Sequence, residues 1–324
     1  MLTLPAFEFH APTTVAEALG LLKSHGSKAK LIAGGTDLVP NMKHRLFTPE
    51  HVVGLKEIAE LHAVREEPDA VYVGPMITLA NLGKHERVQV LFPSLAQALG
   101  LIAGPQLREM GTLGGNLCLD TRCVYYNLTH FWRKSLGYCL KKDGTVCHVV
   151  KSGKNCVAAA SNDSAPVLIT LDASIRLASP RGERVLKLED FYTADGIANT
   201  VIAADELLVE VRIPKVARTI AGYQKLRIRA AIDYPSLCVA VAARLNPKGL
   251  IEEVRMVISA LAARPHLIKR LESFAGRPLD SKTIGELAQA AHKQCHPLTN
   301  INVDPAWRRE MIPVFVRRAF AQAR

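Results

Sequence analysis

The sequence lacks the long apolar segments that a membrane protein needs. No uninterrupted apolar run approaches the roughly 18 residues of a transmembrane helix. The first residues, MLTLPAFEFHAP, also lack the basic stretch and apolar core of a secretory signal. We therefore expect a cytoplasmic protein that has no membrane partner.

The basic charge of the chain is not accompanied by a nucleic-acid motif. Lys and Arg number 41 against 30 Asp and Glu, which gives a formal net charge of +11. These residues are spread along the chain, without a basic run of five. We therefore expect no nucleic-acid partner. An anionic cofactor, an anionic substrate or an acidic protein would fit the charge equally well.

The length and the segment pattern predict about two domains with mixed helices and strands. The chain has 324 residues, and strand-like and helix-like segments alternate along it. A boundary is expected near Pro214, after the strand-like ELLVEVRIP. Capping residues predict one helix between Thr14 and Gly26 and another that starts at Asp304 and Pro305. APVLITLDASIRLAS is interpreted as a pair of strands, and PHLIKRLESFAG as a helix.

Two short segments carry paired glycines, AGGTD at residues 33–37 and GTLGGN at residues 111–116. Consecutive N–H groups in such turns can form a concavity that binds anions, and glycine lets the backbone approach a phosphate closely. Neither segment matches the common dinucleotide-binding or P-loop fingerprint. Two interpretations stand: ordinary tight turns, or two loops that hold a diphosphate from both sides.

The seven cysteines are concentrated, since five of them lie from Cys118 to Cys156. Four belong to a segment without sustained periodicity, residues 119–160, and such a long irregular stretch is improbable unless a functional group holds it. A cluster of this kind in a cytosolic chain favours a metal site over disulfides. No C-x-x-C pair occurs, so zinc, an iron–sulfur cluster and free buried thiols all remain open. The surrounding Lys and Arg outnumber Asp, which suits an anionic cluster or a solvated loop.

The eleven histidines show no metal-ligand spacing such as H-E-x-x-H. We expect them to be structural or surface residues. No side chain is expected to act as a general acid or base.

The glycine segments belong to a longer ordered set of motifs. In chain order these are LIAGGTDL, TLGGNLC, SNDSAPVLITLDA, FYTADGIANTVIAADELLVEVRIP and YQKLRIRAAIDYPSLCVAVAA. Each motif is weak alone. The set in this order resembles the flavin-binding subunits of the molybdenum hydroxylase family, which includes xanthine dehydrogenases and carbon monoxide dehydrogenases.

The resemblance implies FAD and an α+β fold. Residues 1–214 should form a two-part FAD-binding domain of the vanillyl-alcohol-oxidase type, with lobes at 1–55 and 56–214, and residues 215–324 a smaller α+β C-terminal domain. The diphosphate should lie between two sets of residues. These are Leu31, Ile32, Ala33, Gly34, Gly35, Thr36, Asp37 and Leu38 on one side, and Gly111, Thr112, Leu113, Gly114, Gly115 and Asn116 on the other.

Three further residues are assigned by the same resemblance. Ile102 should pack near the flavin, and Asp163 should meet the ribityl or ribose hydroxyls. Lys225 should approach the isoalloxazine edge, the alternative being a solvated lysine on a strand.

Residues 119–160 depart from ordinary members of this family, in which the GGN turn runs almost directly into the (S/N)D-x-x-P segment. The departure resembles the flavin subunits of 4-hydroxybenzoyl-coenzyme A reductases, which carry a 4Fe–4S cluster on such an insertion. On this resemblance the metal ligands are Cys123, Cys139, Cys147 and Cys156, whereas Cys118 is not a ligand.

The resemblance further implies an electron-transfer subunit of a heterohexamer, a dimer of heterotrimers with a molybdopterin-binding large subunit and a 2Fe–2S small subunit. A ferredoxin-like donor would supply electrons through the 4Fe–4S cluster and FAD. The complex would remove the phenolic hydroxyl of 4-hydroxybenzoyl-CoA to give benzoyl-CoA, a step of anaerobic aromatic degradation. The alternatives are a flavin subunit of an aldehyde oxidoreductase or an N-heterocycle hydroxylase and, more remotely, a zinc-stapled scaffold without enzymatic activity.

Overall fold

The computed structural model describes residues 2–323, in which three sheets follow one another along the chain. The first sheet is parallel, with strand order β1-β3-β2. Its strands are β1 (Glu8–His10), β2 (Ala29–Ile32) and β3 (His51–Gly54), and its helices are α1 (Val15–His25) and α2 (Leu38–Lys43). The predicted caps of α1 are confirmed, because Thr14 accepts a hydrogen bond from the backbone of Glu17 and Gly26 has a φ of +53°.

The second sheet is antiparallel and has five strands in the order β4-β5-β8-β6-β7. The strands are β4 (Val64–Glu66), β5 (Ala70–Val73), β6 (Ser174–Ser179), β7 (Gly182–Lys187) and β8 (Leu207–Pro214). Eight helices accompany this sheet. They are α3 (Leu79–Lys84), α4 (Glu86–Leu91), α5 (Pro93–Gly100), α6 (Pro105–Met110), α7 (Leu113–Leu117), α8 (His130–Ser135), α9 (Ser164–Thr170) and α10 (Leu188–Phe191).

The third sheet is antiparallel, with strand order β12-β11-β10-β9. Its strands are β9 (Thr219–Leu226), β10 (Leu237–Leu245), β11 (Ile251–Ser259) and β12 (His266–Leu267), followed by α11 (Ser281–Gln294) and α12 (Pro305–Ala321). The predicted start of α12 is confirmed, because Asp304 accepts a hydrogen bond from the backbone of Trp307 and Pro305 is the first helical residue.

Both faces of the third sheet are buried. Alternate residues of β10 point to opposite faces. Leu237, Val239 and Val241 pack in one core with α11 and α12. Cys238 and Ala240 pack in another core with α5 and α9. The central strand β10 is therefore an almost continuous apolar run, LCVAVAARL.

Two element predictions were wrong. The segment APVLIT forms the helix α9 instead of a strand, and all its residues are buried. The segment PHLIKRLESFAG forms the short strand β12 and a 3₁₀ turn, and Arg270 between them has a φ of +63°. The expected α+β fold class is confirmed. Among the helices of residues 2–323, none combines the length and the apolar character of a membrane span.

Candidate functional site

A cleft of about 640 Å³ opens between the first lobe, the second lobe and the loop that joins β9 to β10. Every residue that the sequence assigned to the cofactor lines this cleft except Ile32 and Leu113. Leu31 lines the cleft, so its neighbour Ile32 on β2 faces the other side of the strand. Leu113 is fully buried in the core of the second lobe.

The first glycine segment presents unpaired backbone donors. The N–H groups of residues 34–37 make no hydrogen bond within residues 2–323. Gly35 turns the chain with a φ of +72°, a conformation that L side chains rarely adopt. Consecutive free N–H groups in such a turn favour an anion, so this segment fits a diphosphate.

The second glycine segment differs, because all of its N–H groups except that of Thr112 are already paired within residues 2–323. Leu113 donates to the carbonyl of Ile77 at 3.0 Å and Gly114 donates to that of Pro75 at 2.8 Å. The Thr112 hydroxyl accepts from Gly115 at 3.1 Å. Gly114 is needed for close packing, since a Cβ there would lie 2.5 Å from the Cβ of Pro75. This segment lines the cleft with glycine backbone, but it does not offer a second run of free N–H donors for an anion.

The two glycine segments touch each other. A Cβ on Gly34 would overlap the carbonyl of Met110, and a Cβ on Gly111 would lie 3.5 Å from the Thr36 hydroxyl. Asn116 then fixes the second segment to α9, because its side-chain oxygen accepts from both the backbone and the hydroxyl of Ser164, at 3.1 and 2.6 Å. The glycines thus allow two segments that are distant in the sequence to pack directly against each other at the cleft.

One end of the cleft is built on a buried ion pair that joins two predicted site residues. Lys225 Nζ lies 3.0 Å from Asp163 Oδ1, and both side chains are at most 3% exposed. Lys225 also donates to the carbonyl of Leu101 at 3.1 Å. The alternative of a solvated strand lysine was therefore wrong. The neighbouring residue Ile102 is buried and lines the cleft.

The ion pair is completed by Tyr223 and Cys238 beneath it. The Tyr223 hydroxyl donates to Asp163 at 2.7 Å. Burial raises the pKa of Asp163 above its ordinary value, and the Lys225 ammonium and the Tyr223 hydroxyl oppose that effect. Burial also raises the pKa of both Tyr223 and Cys238 well above ordinary, so both remain protonated donors at neutral pH.

Residues 119–160 form a further wall of the cleft that the sequence did not predict. Lys141 is almost fully buried and donates to Asp120 at 2.5 Å and to the Thr121 hydroxyl at 2.6 Å. Arg122 pairs with Asp37 of the first glycine segment. Asp120, Tyr126, Lys141 and Lys142 all line the cleft. From the sequence, these residues count only among the Lys and Arg around the thiols, because the side chains they contact are not evident from the local sequence.

The four predicted metal ligands lie near one another in this insertion, because Cys139 and Cys147 are close enough to raise the pKa of Cys123, and Cys123 and Cys147 that of Cys156. Cys139, Cys147 and Cys156 are buried, and Cys123 is half-buried. Backbone N–H groups point at the sulfurs, since Val150 donates to Cys147 and Ala158 to Cys156, each at 3.4 Å. Hydrogen bonds of this kind stabilise thiolates in iron–sulfur centres.

The thiols are not packed as tightly as the ligands of a single metal ion. Within residues 2–323, no three cysteine sulfurs lie within 4.8 Å of one another. A tetrahedral zinc would hold its sulfurs about 3.8 Å apart. The thiols as placed therefore do not form a closed zinc site. Burial raises the pKa of Cys156 to about 11 and also that of Cys123, so a bound metal would be needed to ionise them.

Cys118 lies apart from this group. It lines the cleft and is exposed to solvent there. Its position beside the second glycine segment agrees with its exclusion from the ligand set.

Comparison with known proteins identifies the family. The family profile described as "FAD binding domain in molybdopterin dehydrogenase" matches residues 5–216, and "CO dehydrogenase flavoprotein C-terminal domain" matches residues 221–323. The chain belongs to the FAD-binding subunits of the molybdenum hydroxylase family. It is therefore a flavoprotein and an oxidoreductase subunit.

Similarity to individual members of the family extends over most of the chain. The carbon monoxide dehydrogenase medium chain of Hydrogenophaga pseudoflava is 30% identical over 323 residues, which cover 98% of this chain and 97% of that one. An aldehyde oxidoreductase FAD-binding subunit of Escherichia coli is 30% identical over 279 residues, covering 83% and 86%. A solved structure of the H. pseudoflava carbon monoxide dehydrogenase, lacking the Mo-pyranopterin moiety, gives a TM-score of 0.81 at 29% identity, covering 98% and 97%.

The residues of this molybdenum hydroxylase subunit fit FAD. The free N–H groups of residues 34–37 suit its diphosphate. The buried carboxylate of Asp163 suits its hydroxyls, and apolar side chains such as Ile102 and Leu208 suit its ring system.

Proposed function

We propose that this chain is an electron-transfer subunit that carries both FAD and a 4Fe–4S cluster. Residues 1–214 would bind FAD and residues 215–324 would form the C-terminal domain. The cluster would be held by Cys123, Cys139, Cys147 and Cys156. The partners would be a molybdopterin-binding large subunit and a 2Fe–2S small subunit, in a heterohexamer. When bound, FAD supplies one- and two-electron chemistry and the cluster supplies one-electron chemistry.

Within the cleft, we assign a part of FAD to each group of residues. The backbone of Gly34 to Asp37 would bind the diphosphate by hydrogen bonds, and the segment Gly111 to Asn116 would pack against its other side. Asp163 would accept hydrogen bonds from ribityl or ribose hydroxyls. Lys225 holds Asp163 in place and would lie near the isoalloxazine edge, beside Ile102.

The observation that carries this proposal is that the cleft and the thiols share a wall. Leu46 and Tyr126 line the cleft and also pack in one apolar cluster with Cys139 and Cys123. Lys141, which lines the cleft too, lies close enough to oppose the rise in the pKa of Cys156. The thiols are therefore next to the flavin site, as a relay of electrons requires.

We propose 4-hydroxybenzoyl-CoA reduction as the reaction of the complex. A ferredoxin-like donor would deliver electrons to the cluster, and the phenolic hydroxyl would be removed at the molybdenum subunit to give benzoyl-CoA. The support is the insertion 119–160 with its four thiols, which resembles that of the corresponding reductase subunit.

A second candidate is the flavin subunit of an aldehyde oxidoreductase, in which electrons flow outward from the substrate. The 30% identity with the aldehyde oxidoreductase FAD-binding subunit of E. coli favours it. Both candidates use the same cleft and the same thiols, since the substrate would bind to the large subunit.

The first test is a cofactor analysis of the chain purified without oxygen, with any subunits that co-purify. We expect one FAD with four irons and four acid-labile sulfides per chain. FAD without iron would overturn the cluster. Turnover of the complex with 4-hydroxybenzoyl-CoA and a reduced dye should yield benzoyl-CoA. Activity with an aromatic aldehyde and none with the CoA ester would establish the second candidate instead.

A further inference from the structure

Three histidines that are far apart in the sequence meet on the first sheet, away from the cleft. His10 Nε2 lies 3.1 Å from His51 Nδ1. The rings of His25 and His51 stack with their centroids 3.6 Å apart. One ring nitrogen from each of the three lies within 4.8 Å of the other two. No motif of the sequence pointed to this cluster, because each histidine comes from a different element.

The fold places these side chains together by strand register. Glu8 on β1 is paired with His51 on β3. Alternate residues of a strand face the same side of the sheet, so Glu8, His10 and His51 share one face. Helix α1 packs against β2 and β3 and ends at His25, which brings the third imidazole to the same place.

A carboxylate completes the donor set. Glu8 Oε2 lies 3.4 Å from His51 Nδ1, and Glu8 Oε1 lies 3.9 Å from His10 Nε2. The side chains of His10 and His51 are each 17% exposed, whereas that of Glu8 is 66% exposed. The imidazoles are thus held by protein on most sides, and an ion could still enter from solvent past Glu8.

We propose that His10, His25 and His51, with Glu8 beside them, bind a divalent transition-metal ion of the Zn²⁺ type. Neutral imidazole is a preferred ligand for such ions. A tetrahedral zinc places its nitrogen ligands about 3.3 Å apart, close to the His10–His51 separation. The ion would tie β1 to the end of α1 and to β3. This site is separate from the four thiols of the insertion and from the cleft.

The test is the number of Zn²⁺ ions bound by the whole chain, measured by equilibrium dialysis and elemental analysis. The variants are His25→Ala and His51→Gln. The matched control is His292→Gln, because His292 also lies beside a carboxylate, Glu310 at 3.2 Å, but belongs to no group of three possible metal ligands in residues 2–323. The insertion thiols are present in all four proteins and contribute equally. Flavin content and circular dichroism check that each variant is folded.

We expect both cluster variants to bind one Zn²⁺ fewer than the wild type, with at least about a 100-fold loss of affinity at that site. The control should bind as many ions as the wild type. With Co²⁺, the wild type minus His25→Ala difference spectrum should show visible bands without sulfur-to-cobalt charge transfer. Equal metal counts in all four proteins, or a difference spectrum of the thiolate type, would overturn the proposal and leave a stack of imidazoles without an ion.

Discussion

At the scale of residues, the glycines of the cleft have separate physical reasons to be glycine. Gly35 needs its left-handed φ, whereas Gly34 and Gly114 lie where a Cβ would strike another segment of the chain. At Gly114 the neighbouring segment is that of Pro75, so a side chain there would strike the protein itself. The sequence singles out these glycines by their pairing, but their contacts could not be read from it because the contacting residues lie elsewhere in the chain.

The contact between the glycine segments can be tested with Gly34→Ala. The added Cβ overlaps the Met110 carbonyl, so the two segments must separate, and we expect at least about a tenfold loss of FAD affinity, equivalent to about 1.4 kcal/mol. The measurement is the flavin-to-protein ratio and a titration with FAD. The control is Gly20→Ala in α1, where nothing lies within 4 Å, which should keep FAD and gain about 0.5–1 kcal/mol of stability. Full flavin occupancy in Gly34→Ala would show that the segments need not touch.

The buried ion pair gives a second prediction at this scale. Lys225→Met leaves the buried Asp163 carboxylate without its cation, which should lower the free energy of unfolding by about 3–5 kcal/mol. The double variant Asp163→Asn with Lys225→Met should recover part of this loss, because no buried charge remains. Urea unfolding of the single and double variants measures the coupling. Additive losses would mean that the two residues act independently.

At the scale of elements, the pattern of apolar residues predicted secondary structure best where a capping or turn residue marks the end of the helix or strand. The helix α1 and the start of α12 were correct because their capping residues are adjacent in the sequence. The segment APVLIT was assigned wrongly because a short apolar run that is buried on all sides has no periodicity to separate helix from strand. Here the Asn116 side chain binds the first residue of α9, and no local pattern could reveal that partner.

The insertion 119–160 is anchored to the rest of the protein independently of its thiols. Val124 donates to the carbonyl of Asn300 at 2.9 Å, Arg133 donates to that of His44 at 2.8 Å, and Arg122 pairs with Asp37. The part of the cleft wall that it forms should therefore persist when the cluster is lost.

The variant Cys139→Ser tests whether the cleft wall is independent of the cluster. We expect the variant to lose iron and sulfide but to retain FAD within about twofold of the wild-type affinity, a change of less than about 0.5 kcal/mol. Iron analysis, visible spectra and an FAD titration provide the measurement. The control is Cys118→Ser, which should retain both cofactors because Cys118 lies outside the ligand set. Loss of FAD together with iron would show that the cluster is required to fold the cleft.

A surface network between elements predicts a dependence of stability on pH. Glu66 on β4 accepts from Arg87 on α4 and from Lys215 just after β8, and these hydrogen bonds lower its pKa to about 2. A carboxyl whose pKa is lowered in the folded state stabilises the protein above its unfolded pKa of about 4.3, and this is lost as the pH falls toward 2. The melting temperature of Glu66→Gln should thus be below that of the wild type at pH 7, and the difference should vanish near pH 2. A difference in melting temperature that is independent of pH would show that the lowered pKa of Glu66 is not its cause.

At the scale of the whole molecule, the predicted boundary at Pro214 does not separate two hydrophobic cores. The core that contains Leu95 and Leu168 of the second lobe also contains Tyr223, Ala240 and Val257 of the third sheet. The other face of that sheet packs in a core with Leu287 and Phe315 of α11 and α12. The third sheet is therefore shared between the two parts, and neither part can expose it to water without a large loss of apolar burial.

The shared sheet predicts that the chain unfolds in a single cooperative transition. Leu95→Ala in α5 and Leu287→Ala in α11 form a matched pair, since both side chains are 0% exposed and lie in the cores on opposite faces of the sheet. Each should cost about 2–5 kcal/mol, and each should shift one common transition to lower temperature. Calorimetry checks this through the ratio of calorimetric to van't Hoff enthalpy, which should stay near one in the wild type and both variants. If Leu287→Ala instead splits off a low-temperature transition that Leu95→Ala leaves in place, the C-terminal part unfolds on its own. The division at Pro214 would then separate two units of stability as well as two stretches of chain.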